Sequence, residues 1–238
     1  MAEIVVTDKE QSGNNFRYVQ SALSEVVLKT YAKFDIGVAG ARGILTVDVP
    51  DEYLAPLQVE LADKLAEIIS INYKYNFFKS RMRIGGLSKV QTEILYTALI
   101  SADFEEDKGY AFSKLKGKTE ISLDGAFNFQ MQPLKKKWTE ICSFMPECFM
   151  QNQLGEFIGY LLDGRKNKVY VDHGIVYDHH YRRLNRTMLL GDTPDAIILR
   201  EVILSGGGDV EIIGEVEKAE EKYLKEFYSS RISIAQRF

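Results

Sequence analysis

All three histidines of this 238-residue chain, His173, His179 and His180, fall within eight residues. They lie beside Asp172 and Asp178 and are followed at once by Arg182, Arg183 and Arg186. Imidazole and carboxylate can hold zinc or manganese when their donor atoms converge to ~2.0–2.2 Å of one ion. Spacing argues against convergence here. With His173 at a hairpin tip and a strand rise of ~3.3 Å per residue, His179 lies on the order of 15–20 Å away. His179 and His180, being adjacent, point apart in either a strand or a helix. No metal and no other cofactor is expected. A second geometry gives a different chemistry. If the chain turns helical after Tyr177, then His179, Arg182, Arg183 and Arg186 stand at i, i+3, i+4 and i+7 and form one stripe. Planar guanidinium forks match phosphate or carboxylate oxygens bidentately, so such a stripe would bind an anion or nucleic acid. The plainer alternative is a solvated face, or ion pairs to Glu201, Glu211 or the Glu215 to Glu226 segment, which contribute little at a surface.

The remaining chemically suggestive residues point to structure. Ser205-Gly206-Gly207-Gly208-Asp209 is glycine-rich, but it follows an expected helix and precedes an expected strand, the reverse of a phosphate loop, so it reads as a helix C-cap. Cys142 and Cys148, in CSFMPEC, flank Phe144 and Met145 and are expected as core thiols in a reducing compartment. Glu105-Glu106-Asp107 reads as a solvated carboxylate cluster rather than a general acid/base pair, and Lys135-Lys136-Lys137 beside Trp138 needs no ligand. No G-x-S-x-G elbow occurs.

The elements that must carry these residues follow from apolar spacing. The chain is 45% hydrophobic and 27% charged, the balance of an ordinary folded protein, and its net charge of −4 disfavours a globally basic nucleic-acid glove. The first residues, MAEIVVTDKE, lack a basic region followed by an apolar stretch, and no run approaches a membrane span, so no membrane association and a cytoplasmic location are expected. Ile4-Val5-Val6 predicts a strand. Phe16, Val19, Leu23, Val26, Val27 and Thr30 predict a helix, Ile44 to Val49 a second strand, and Leu54 to about Met82 a long helix. Gly37, Gly40 and Gly43 read as a turn region, which makes the N-terminal unit β-α-β-α.

Ser88-Lys89-Val90-Gln91 has the form of a capping box opening a helix to Ala102, with Phe104 to Lys108 as its charged exit. Lys114 to Asp124 reads as a surface connection, and further helices are expected toward Pro146 and over Gln153 to Leu162. Lys168 to Asp178 alternates around His173-Gly174 as a tight hairpin does. Thr193 before Pro194 predicts a cap for a helix to Leu204, then a strand at Val210 to Ile213 and a helix from Glu215 to Tyr228. The expected class is α+β: residues 1–84 an N-terminal α/β unit, 85–164 a helical middle, and 165–238 a C-terminal α+β unit with a small sheet, the alternative being one continuous domain.

Glu156-Phe157-Ile158-Gly159-Tyr160-Leu161-Leu162, the Val169 to Asp178 hairpin, and the Ile203-Leu204 helix end leading to Val210-Glu211-Ile212-Ile213 carry a resemblance. Their order is similar to that of the YtxC-like sporulation proteins of endospore-forming Firmicutes. The N-terminal unit and the aromatic Tyr73-Lys74-Tyr75-Asn76-Phe77-Phe78 segment are similar in position as well, whereas the glycine-rich loop and the His-Arg segment depart from the pattern. The resemblance implies a bacterial, cytoplasmic, sporulation-associated protein with no established activity, and it supplies no catalytic residue. Three functions follow as expectations. The leading one is a non-enzymatic interaction or regulatory protein with a protein partner. The second is an anion or nucleic-acid binder acting through His179, Arg182, Arg183 and Arg186. The third, a hydrolase or transferase, would need a perturbed carboxylate or cysteine beside that stripe.

Overall fold

A computed structural model describes residues 1–9, 13–191 and 193–235, without the side chains of 151 and 152. In chain order the elements of its first half are β1 (Ala2–Asp8), α1 (Asn14–Ala22), α2 (Ser24–Thr30), β2 (Lys33–Ala39), β3 (Arg42–Val49), α3 (Leu54–Ile68), a π-helical turn (Ile69–Tyr73) and α4 (Lys74–Arg81). There follow α5 (Lys89–Ala102), α6 (Phe104–Leu115), β4 (Glu120–Ser122), α7 (Leu123–Gln130), α8 (Gln132–Phe144) and α9 (Gln151–Leu161). The chain ends with β5 (Asn167–Asp172), β6 (Ile175–Tyr177), a 3-10 turn (Arg186–Leu190), α10 (Ile197–Leu204), β7 (Gly207–Ile212), α11 (Lys218–Tyr228) and β8 (Ile232–Ile234). The α+β class holds. Contacts gather Met1–Asn76 with Glu105–Ser143 into one unit and Phe77–Phe104 with Phe144–Phe238 into a second.

In the first unit four strands run in the order β2-β3-β1-β4. β1 pairs antiparallel with β3, from Ala2↔Val49 to Asp8↔Gly43, and parallel with β4. Alternation sends Ile4 and Val6 of β1 and Leu45, Val47 and Val49 of β3 into the core. Two expectations are corrected here. Gly37 belongs to a full strand, β2, whose reversal into β3 needs only Gly40 and Ala41, with Gly40 at φ 63. A glycine with positive φ at the first central position is the two-residue turn that suits strand twist. The supposed surface connection from Lys114 to Asp124 contains β4, whose parallel pairing with β1 draws residues 105–143 into this unit. The helix expected from Asn15 to Thr30 breaks at the buried Leu23 into α1 and α2. The long helix forms as spaced, but its π-helical turn widens one coil where Ile69, Ser70, Ile71 and Tyr73 are all buried.

The second unit is organised by α5, buried from Glu93 to Ser101 and started by the capping box: Gln91 N–H donates to Ser88 Oγ at 3.3 Å, and Ser88 N–H to Gln91 Oε1 at 2.9 Å. It packs on α10 and α9. The sheet has the order β6-β5-β7-β8. β5 and β6 form the antiparallel hairpin, while β5 and β7, connected through α10, are parallel, as are β7 and β8, connected through α11. Both parallel pairs need the crossover helix that separates their strands in sequence. Gly206, at φ 70, ends α10, as its C-cap reading predicts, and Gly208 lies so close to the Arg165 carbonyl that a Cβ would collide with it. The expected Thr193 cap does not form. α10 starts only at Ile197, and its first amides are capped from α11, where Glu220 accepts from Ile197 N–H at 2.9 Å and Ile198 N–H at 3.1 Å. No helix among the described residues is long and apolar enough to cross a membrane.

Candidate functional site

The hairpin that carries the His-Arg segment is built by its two turn residues, His173 at φ 46 and Gly174 at φ 78, between the paired Asp172 and Ile175. Positive φ at both central positions is the tight reversal whose twist matches the flanking strands. After Tyr177 the chain does not become helical. Asp178 takes control of the backbone instead: its Oδ1 accepts from His180 N–H at 2.8 Å and Arg182 N–H at 2.9 Å. Its backbone carbonyl accepts from Tyr181 N–H at 2.9 Å, and Tyr181 sits at φ 56. The chain then folds back, with Arg183 bridged to Tyr177 and Leu184 N–H donating to the Val176 carbonyl at 2.9 Å. An aspartate carboxylate that captures nearby amides competes with helix formation, which is why the expected stripe is absent.

The four candidate residues are therefore divided. Arg182 returns to the turn, with Nε 2.9 Å and a terminal nitrogen 2.8 Å from Asp178 Oδ2. Desolvation raises the Asp178 carboxyl, but the amide and guanidinium of Arg182 and the His180 amide outweigh it and hold the group below its usual range. Arg186 opens the 3-10 turn, its guanidinium 4.7 Å from the centre of the Phe104 ring and 3.3 Å from the Leu204 carbonyl. Arg183 is exposed, and among the described residues its guanidinium has no ion-pair or hydrogen-bond partner. His179 and His180 are exposed with ring centres 3.8 Å apart. Beside them Tyr181 stacks on Tyr170 of β5 at 4.4 Å and 15°, and Lys168 pairs with Glu211 at 2.5 Å. The Glu201 pairing that the plainer alternative named is made through backbone: its carboxylate accepts from Arg186 N–H at 2.9 Å and from Thr187 N–H and Oγ1 at 2.7 Å each. Burial pushes the Glu201 carboxyl up.

A second polar concentration, inside the first unit, has no counterpart among the sequence expectations. Asp107, read above as solvated, is fully buried in the first turn of α6. It accepts from Lys74 Nζ at 2.7 Å, Trp138 Nε1 at 2.8 Å and Lys137 Nζ at 3.0 Å. On α3, the buried Glu67 accepts from Tyr18 and lies 3.1 Å from Lys64 Nζ and 3.3 Å from Lys108 Nζ. At the end of β1 the buried Asp8 accepts from Tyr73 at 2.5 Å and from Asn15 at 2.9 Å. The available signal was weak: Glu67, Ser70 and Lys74 share the apolar stripe of a helix, a position where charged residues are normally avoided. Cys148, expected in the core, is exposed, and Cys142 is half-buried. Among the described residues no three His, Cys, Asp or Glu side chains are grouped so as to hold a metal ion. No protein-family model, curated protein or solved structure matches the chain.

Proposed function

We propose that this chain is a non-enzymatic interaction protein whose second unit recognises a carboxylate or phosphate on a protein partner through Arg183 and His179, beside the Tyr170–Tyr181 stack. One observation carries the reading: Arg182 and Arg186 are occupied within the fold, while Arg183 presents its guanidinium to solvent with no internal anion among the described residues. Tyrosine and arginine together are the residue types that dominate protein interfaces, since each offers a large rigid surface with directional donors. On a chain of net charge −4 a local cation gives no extended basic footprint for nucleic acid, whereas a single carboxylate or phosphate on a protein needs only one such cation. A role in spore formation is part of the proposal and rests on the resemblance in element order. The test is binding of a fluorescent poly-glutamate peptide, and of a phosphoserine peptide, at low salt. Arg183→Ala should abolish binding with an unchanged melting temperature, and added salt should weaken it. Binding unaffected by Arg183→Ala, or a dT oligonucleotide displacing the peptide at lower concentration, would overturn the proposal.

A further inference from the structure

A strand at the edge of a sheet exposes a row of unpaired N–H and C=O groups, and proteins commonly blunt such edges with proline, bulges, short length or dense charge. β2 is the edge of the first unit's sheet and, among the described residues, is hydrogen-bonded on one side only, to β3. It runs for seven residues, Lys-Phe-Asp-Ile-Gly-Val-Ala, without proline and without a shift in its register against β3. Among the described residues no backbone hydrogen bond links 33–39 to any other element. Large apolar side chains stand exposed near both ends: Tyr31 just before the strand, 75% exposed, and Val38 near its finish, 66% exposed.

We infer that β2 pairs antiparallel with β2 of a second copy of this chain, about a two-fold axis at Ile36, joining the two four-stranded sheets edge to edge. The sequence of the strand is what selects this partner. Ile36 is the midpoint, so this register alone uses all seven residues. It sets Phe34 opposite Val38, Lys33 opposite Ala39 and Asp35 opposite Gly37, each pair occurring twice by symmetry. Aromatic and β-branched side chains in directly opposed positions stabilise a sheet, and no like charges meet. Centring one residue earlier would set Asp35 against Asp35, which is destabilising. The same register covers the exposed Val38 of each strand with Phe34 of the other.

The test is the molar mass of the intact chain by light scattering over roughly 1 to 500 micromolar. The wild type should rise with concentration from 27.1 kDa toward twice that mass. Ala39 is exposed, so charge is tolerated there without cost to the core. Ala39→Lys sets lysine opposite Lys33 twice and should weaken association roughly tenfold, whereas Ala39→Glu should strengthen it several-fold, because opposed charges across strands follow their sign. Position 39 also stands opposite Arg42 within the monomer's own hairpin, so the melting temperature of the monomer should move with the sign of the new charge, and association is compared at a temperature well below both transitions. A chain that stays at 27.1 kDa throughout, or a dimer indifferent to the sign of the charge at position 39, would overturn the inference.

Discussion

Asp107 offers the sharpest quantitative test of how the first unit is held together. Its carboxylate is fully buried and shared by Lys74, Trp138 and Lys137, and Lys74 is itself fully buried. Lys74→Met removes one cation but leaves the carboxylate accepting from Trp138 at 2.8 Å and Lys137 at 3.0 Å. The expected loss is about 1–3 kcal/mol, the range for a buried acceptor that keeps other donors. Asp107→Asn removes the charge beside a buried ammonium, and breaking one side of a buried pair costs about 3–5 kcal/mol. Loss of an anion from the first turn of α6 adds roughly 0.3–1 kcal/mol. The double variant should be less destabilised than the sum, with a coupling of about 1.5–3 kcal/mol, because the second substitution removes the very charge the first one orphaned. Trp138 is the chain's single tryptophan, is buried and donates to the same carboxylate, so its fluorescence reports this site directly in urea unfolding. With a slope of about 2 kcal/mol per molar urea, a 4 kcal/mol loss moves the midpoint by about 2 M. Equal costs for the two single variants, or strict additivity in the double, would refute the assignment of Asp107 as the shared centre.

Two further outcomes follow from the carboxylates that cap helices at a distance. Glu201→Gln should lower stability by about 1–3 kcal/mol, since an amide cannot accept at both oxygens from Arg186 N–H and Thr187, and far-ultraviolet melting curves check it. The pH dependence has a fixed sign: burial raises both Glu201 and Glu220, so the folded state holds protons that the unfolded chain releases, and this contribution to stability falls as pH rises from the ordinary carboxylate range through the raised values. Asp124 and Asp178 are lowered and act in the opposite direction, their stabilisation being lost as pH falls through their depressed values. Glu220→Gln should therefore flatten the decline on the neutral side without altering the acid limb, as read from urea midpoints across pH.

Local signals were legible and partnership was not. The Ser88–Gln91 capping box, the His173-Gly174 hairpin and the glycine end of α10 each depend on residues close in sequence, and all form where their spacing places them. β4 escaped because three residues carry almost no periodicity, and only pairing with β1 makes them a strand. β2 was concealed by Gly37, a residue that usually weakens a strand but lies here on an edge where no side chain need pack. The helical stripe failed for a local reason that could have been read: Asp178 stands two and four residues before His180 and Arg182, the spacing at which an aspartate captures backbone amides. The start of α10 was misplaced because its cap comes from Glu220, more than twenty residues downstream. Asp107 was taken for a solvated residue because charge pattern on a helix end cannot disclose the lysine and tryptophan that meet it.

This partition of charged groups limits how any anion can engage the second unit. An anion held by all four residues of the expected stripe would have to draw Arg182 from Asp178, where two nitrogens lie within 2.9 Å, and Arg186 from the Phe104 ring. The first exchange trades one carboxylate for another and also loosens the turn that positions Arg183, so it yields no net gain. Recognition through Arg183 with an imidazole alone costs no internal contact. A polyanion bound in this way displaces few counterions, and the logarithm of its affinity should fall with the logarithm of salt by roughly 0.7–0.9 per phosphate contacted, hence about one to two in all. Titration of a dT oligonucleotide, whose phosphates carry condensed counterions, across a salt series measures that slope. A value near four would mean that Arg182 and Arg186 leave their internal partners on binding, and the division of the segment into structural and free arginines would then be wrong.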